Sequence, residues 1–141
     1  EFAQPMYDQM TEEAKKEGLN FNLDNIKKTP NTVFSHLLIK LAEQTNTQKE
    51  IKERIYQSYF VEGLDIGNKE VLINIGKGFD INENVIDNFF NADNVEKVNS
   101  YIAVAKKREI SGVPFFEIGK SFISGAQSSL NLESTIRSNL S

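Results

Sequence analysis

The chain contains no cysteine. That excludes a disulfide framework, a thiolate metal site and a cysteine nucleophile within these residues. It holds one histidine, His36, which excludes a multi-histidine metal site. No motif calls for a metal or a cofactor. No apolar run approaches the roughly 20 residues needed to cross a bilayer, so a soluble chain without a membrane partner is expected. Basic residues are outnumbered, 16 against 20 acidic, and the net charge of −4 is spread along the chain. Without a basic patch, nucleic acid is not an expected partner. Glu1-Phe2-Ala3-Gln4-Pro5 has neither a basic n-region nor an apolar h-region, so no signal peptide is expected. The lack of a starting methionine fits a truncated or processed chain.

What is present suffices for a packed core, with 141 residues and 39% hydrophobic content. Ser111-Gly112-Val113-Pro114-Phe115-Phe116-Glu117-Ile118, then Gly119-Lys120 and Ser121-Phe122-Ile123-Ser124-Gly125, is the one convincing β segment. Phe115 to Ile118 and Ser121 to Ser124 are short aromatic and β-branched runs. Gly119-Lys120 between them suits a tight hairpin turn. A proline at the head of a strand removes one ladder donor where that is tolerated, and it pushes Val113 to extended backbone. Only about 5–6% of X–Pro bonds are cis, so composition alone favours trans here.

The rest reads as helix. Met6 to about Glu17 is densely charged and stopped by Gly18. Leu19 to Leu23 alternates but is too short and isolated to be read as a strand. After the loop ending at Pro30, Asn31 or Thr32 caps a helix with Phe34, Leu37, Leu38 and Leu41 at i, i+3, i+4 and i+7, running to about Gln44. Thr47 to Phe60 follows, with Ile51, Ile55, Tyr56, Tyr59 and Phe60 on one side. The short connection predicts antiparallel neighbours. Asn68 caps a helix through Val71, Leu72 and Ile75 that closes near Gly76 and Gly78. A short helix carries Val85, Ile86, Phe89 and Phe90. A longer one, about Ala92 to Glu109, carries Val95, Val98, Ile102 and Ala105. After the hairpin, Ser128 or Ser129 starts a last helix with Leu130, Leu132 and Ile136. The carboxylates form no acid–base pair: Glu12-Glu13 and Asp93 with Glu96 read as solvated or first-turn charges.

Two strands alone make a marginal sheet. Phe115, Phe116, Phe122 and Ile123 place apolar side chains on both faces of this one, as in strands made to be covered on both sides. Gly-Val-Pro-Phe-Phe at 112–116, the hairpin, then Ser124-Gly125-Ala126-Gln127 and an amphipathic helix resemble the C-terminal end of DsbA-family thiol oxidoreductases. Within that family the chain is most similar to the cytoplasmic FrnE-like branch. Pro30-Asn31-Thr32 with Ser35-His36-Leu37 resembles the opening of a helix in that branch's insertion, with Ser35 in place of alanine. Tyr59-Phe60-Val61-Glu62-Gly63 resembles a Tyr-Phe-Thr-Glu-Gly stretch ending the next helix. Asp65-Ile66 followed by Val71-Leu72 is similar to the loop and helix after it, and Glu109 to Pro114 resembles the approach to the family's cis-proline.

The resemblance implies an α/β thioredoxin-like fold, mostly helical here. Residues 1–91 would be a helical insertion domain. Residues 92–141 would be a helix, the cis-proline hairpin and a last helix of an incomplete thioredoxin fold. It implies protein disulfide oxidoreductase chemistry whose Cys-x-x-Cys motif is absent, leaving this chain redox-inactive as it stands. Val113 and Pro114 then correspond to the loop that pairs with an extended substrate segment, and His36 to a residue facing the groove. A buried turn proline, a core-edge histidine, and capping roles for Asn31, Thr32 and Ser124 are the structural alternatives. The implied partner is a protein or small thiol or disulfide such as glutathione, and the implied location is the cytoplasm. Pairing of hairpin edges would give a homodimer. Two other functions compete. One is a glutathione-dependent isomerase or transferase of the 2-hydroxychromene-2-carboxylate isomerase or kappa-class type, disfavoured because its Trp-Gly-x-Asp-Arg-Leu-like stretch is missing. The other is a non-catalytic helical interaction module, which the lack of cysteine supports.

Overall fold

The computed structural model describes residues 4–140, so the expectation about the first residues lies mostly outside it. The chain divides into two compact units, one ending at Asn99 and the other beginning at Ser100.

In the first unit, α1 (Gln4–Lys16) ends where Gly18 takes φ +76°. The amide of Gly18 bonds to the Lys15 carbonyl and that of Leu19 to the Ala14 carbonyl, which closes the last turn. Leu19 to Asn22 is irregular, and Leu23–Asn25 forms a single 3-10 turn that buries Leu23. α2 (Val33–Leu41) runs into a 3-10 turn, Ala42–Thr45. Of its two candidate caps, the Asn31 side chain accepts from the Val33 amide at 3.1 Å, while Thr32 makes no capping bond. α3 (Gln48–Phe60) packs against α2, as the short connection requires. α4 (Lys69–Lys77) and α5 (Glu83–Phe89) are capped by Asn68 and Asn82, whose side chains accept from Glu70 and Asn84 amides at 2.8 and 2.9 Å.

The core gathers around α2. Leu37, Leu38 and Leu41 meet Ile51 and Ile55 of α3, Leu72 and Ile75 of α4, and Ile86 of α5. Each such side chain contributes roughly 1.5–3 kcal/mol on burial. α4 closes near Gly76 and Gly78 as expected, with Gly78 as its C-cap, and Gly76 in its last turn is buried. A Cβ there would meet Ile86 Cδ1 at 2.5 Å and Leu38 Cδ1 at 3.2 Å, so the residue is small because two neighbours press on it. Tyr56 and Val85, expected on apolar faces, are exposed. On α3 the buried stripe is Ile51, Ile55 and Ser58, at i, i+4 and i+7, which turns Tyr56 outward.

α6 (Ala92–Lys107) starts in the first unit, where Val98 is buried, and ends in the second. There Glu109 adopts φ +57°, while its amide and that of Ile110 bond to the Lys106 and Ala105 carbonyls. Ile102, on the expected apolar face, is 43% exposed. β1 (Phe115–Ile118) and β2 (Ser121–Ser124) form an antiparallel ribbon with the predicted bounds and turn, and Gly119 at the turn has φ +59°. It is the whole sheet among the described residues. α7 (Ser129–Leu140) follows and is clamped to the turn by Asn139. That side chain accepts from the Lys120 amide at 3.1 Å and donates to the Ser121 hydroxyl at 2.9 Å. Among the described residues, no side chain of the second unit is fully buried.

Candidate functional site

Cross-strand partners share a face of a ribbon, and neighbours along a strand alternate. The pairing Phe115 with Ser124 and Glu117 with Phe122 therefore puts these four on one face. Phe116, Ile118, Ser121 and Ile123 take the other, where Asn139 of α7 reaches Ser121. On the first face the Phe115 and Phe122 rings lie 6.0 Å apart, and Phe122 remains 63% exposed. Both faces are apolar, as the sequence indicated.

Val113 and Pro114 stand at the head of β1. Their peptide bond is cis, where composition alone favoured trans. The Pro114 carbonyl accepts from the Gly125 amide at 2.8 Å, just past the first strand pair. Ser111, Gly112 and Pro114 are exposed, and Val113 is 88% exposed. The Val113 backbone has no main-chain hydrogen bond among the described residues. The loop thus presents an unengaged donor and acceptor beside an apolar ribbon, which is the chemistry an extended peptide needs in order to add on.

Near the base of this loop, the Arg108 guanidinium donates to the Glu117 carboxylate at 2.5 Å. The pair crosses from the residue after α6 to the third residue of β1. Sequence reasoning missed it, because nine residues of irregular spacing separate the partners and no periodic pattern links them.

His36 lies in the first unit, exposed on α2. Its neighbour Ser35 is buried and donates its hydroxyl to the Ile66 carbonyl at 2.6 Å, tying α2 to the 63–67 loop. In that loop the Asp65 carboxylate accepts from the Gly67 amide at 2.9 Å and pairs with Lys28 at 3.2 Å. These two bonds, the amide's first, hold the Asp65 carboxyl below its ordinary range. The Tyr59 phenol is pushed up, first by burial and then by Tyr7.

The Tyr59 to Gly63 stretch serves the fold. Phe60 stacks on Phe21 at 4.7 Å, and the Glu62 carboxylate accepts from Nη1 and Nη2 of Arg54 at 3.0 and 3.1 Å. Gly63 has φ +70°, and a Cβ on it would lie 2.5 Å from the Asn25 carbonyl oxygen. A cleft of about 360 Å³ between α3 and α4 is lined by Arg54, Leu64, Val71, Ile75 and Phe79. Its one cationic group is already engaged by Glu62. Among the described residues there is no cluster of metal-ligating side chains, and no helix is long and apolar enough to cross a membrane.

No curated protein matches the chain. Among solved structures it is similar to a probable DsbA oxidoreductase from Streptomyces coelicolor, with a TM-score of 0.72 and 20% identity. The match covers 97% of this chain and 58% of that one, so the chain spans less than two thirds of that neighbour's length. At this identity the likeness speaks for the fold, a mostly helical thioredoxin-like one with a two-stranded ribbon. A family model, the DSBA-like thioredoxin domain, matches residues 3–137. The chain therefore belongs to the DSBA-like thioredoxin domain family.

Proposed function

We propose that this chain is the larger, C-terminal part of a DsbA-like protein disulfide oxidoreductase of the cytoplasmic FrnE-like branch. In it, the Val113–Pro114 loop receives an extended segment of a protein or small thiol or disulfide substrate. The observation that carries the reading is Val113, 88% exposed at the head of β1 with its backbone free of main-chain partners. In thiol–disulfide exchange a thiolate attacks one sulfur of a disulfide, a mixed disulfide forms and the other sulfur leaves as thiolate. A second thiolate then resolves the intermediate. This chain holds no cysteine, so both protein thiols come from residues outside it. Its own part is to bind: Val113 N–H and C=O pair with the substrate main chain, and Phe115 and Phe122 offer it apolar surface. Pro114 shapes the loop and takes no part in the chemistry. His36, exposed on α2, enters as a substrate contact or a modulator of a thiol pKa through the resemblance.

The test is to read the gene upstream of the codon for Glu1 and assay the encoded protein for insulin disulfide reduction. A Cys-x-x-Cys at the end of a predicted strand, with turnover, is the expected result. Val113→Pro removes the backbone donor and should lower kcat/KM about two- to tenfold, the worth of one hydrogen bond. A serine at that upstream place would move the assignment to a glutathione-dependent isomerase or transferase. A start codon immediately before Glu1 would leave a non-catalytic helical module, which the lack of cysteine favours. Free ribbon edges also support a homodimer by strand pairing. Light scattering that shows only monomer at high concentration would refute it.

A further inference from the structure

We infer that Arg108 and Glu117 are positioning residues that hold the 109–114 loop so that Val113 is presented at the head of the ribbon; the inference rests on the substrate-loop reading above. The loop has little else to fix it. Ser111, Gly112, Val113 and Pro114 are exposed, and a Cβ built at Gly112 would meet nothing within 4 Å. At one end, Glu109 turns the chain out of α6 in the left-handed region, a conformation that disfavours a side chain. At the other end, Pro114 is tied to Gly125 through one backbone bond. Between the end of α6 and β1 the one side-chain bridge among the described residues is Arg108 to Glu117. Its place on β1 follows from strand alternation: Glu117 lies two residues beyond Phe115 and on the same face, so the guanidinium anchors on the apolar face beside the loop. Breaking the pair frees the loop between Arg108 and β1 and blurs the direction of the Val113 N–H and C=O.

The partners are 53% and 42% exposed at their side chains, so the effect is modest and salt-sensitive. The experiment compares the whole chain with Arg108→Glu, Glu117→Arg, the double reversal, and the shape-preserving Glu117→Gln. Backbone 15N relaxation is read at Gly112 and Val113, with Phe116 and Ile123 in the ladder as controls. The expected result is lower order parameters at Gly112 and Val113 in each single variant, unchanged controls, and recovery in the double reversal. A loss of structure alone would lower the ladder order parameters as well. Equal order parameters at Gly112 and Val113 in all variants, or loss spread evenly over the ribbon, would overturn the inference. In parallel each chain is titrated with a blocked octapeptide of alternating valine and serine around one S-methylated cysteine. The single variants should bind about threefold more weakly, within the range of an exposed ion pair. If the unsubstituted chain fails to bind while loop relaxation responds as expected, the positioning role stands and the substrate reading falls. If it binds and the single variants bind equally well, the positioning role falls.

Discussion

Replacing Gly76 by alanine adds one methyl group where α4 meets α2 and α5. The new Cβ would lie 2.5 Å from Ile86 Cδ1, 3.4 Å from Ile86 Cγ1 and 3.2 Å from Leu38 Cδ1. Ordinary contact would require Ile86 Cδ1 to retreat by about 1 Å, yet Ile86 and Leu38 are both 0% exposed and have nowhere to retreat. Overpacking of this kind costs about 1–3 kcal/mol. Alanine returns about 1 kcal/mol of helix propensity over glycine. The net expectation is a loss of about 1 kcal/mol, read as a lower midpoint in urea unfolding followed by far-UV circular dichroism. The sharper statement concerns the pair. Ile86→Val deletes the offending Cδ1 and alone should cost about 0.5–1.5 kcal/mol. Made on top of Gly76→Ala it should cost nothing or restore stability, a coupling of about 1–2 kcal/mol. If Ile86→Val costs the same in both backgrounds, or if Gly76→Ala raises the midpoint, the packing account of Gly76 is wrong.

Three further outcomes follow from other contacts. Ser35→Ala removes the buried donor to the Ile66 carbonyl and should destabilise the first unit by about 1–3 kcal/mol in the same urea assay, whereas a neutral result would mean that the carbonyl finds another partner. Asp65→Asn should lower the thermal midpoint near neutrality. Because the folded carboxyl ionises below its ordinary 3.8, its stabilisation is present above that pH and drains away as pH falls further, so the gap to the parent chain should close in acid; a gap that persists there would refute the assignment. Glu109→Gly relieves a left-handed residue at a cost of about 1–2 kcal/mol against about 0.5–1 kcal/mol of added chain entropy. It should therefore slow amide exchange in the last turn of α6, and faster exchange would contradict the strain.

Elements with an uninterrupted period were legible. The α2 stripe of Leu37, Leu38 and Leu41 and the ribbon bounded by Gly119-Lys120 carry their pattern in residue type, and both formed where expected. The failures share a cause, which is that tertiary contact assigned a role the residue type does not advertise. Ser58 completes the buried stripe of α3 because its hydroxyl is satisfied by the Arg54 carbonyl at 2.9 Å, so a polar residue sits inside and Tyr56 sits outside. Gly76 marks the helix end as its residue type suggests, but its further role as a point of close approach leaves no sign in the sequence. Gly18 announced its left-handed turn, while Asn46, Asp80 and Glu109 adopt the same conformation under less telling side chains. For the candidate site, Val113 and Pro114 were visible through their resemblance to a family stretch. The Arg108–Glu117 bridge was not, since partners nine residues apart across an irregular loop leave no periodic trace.

The uneven distribution of burial has a consequence for how this protein responds to mutation. Every fully buried side chain among the described residues belongs to the first unit, so cooperative melting reports on that unit. The ribbon and α7 should open in excursions of much lower free energy, as separate foldons. Substitutions on Phe122, Leu130 or Leu140 can then accumulate with little trace in a melting curve. Their effects would be filtered by whatever the surface touches, and a stability screen would pass variants that a recognition screen rejects.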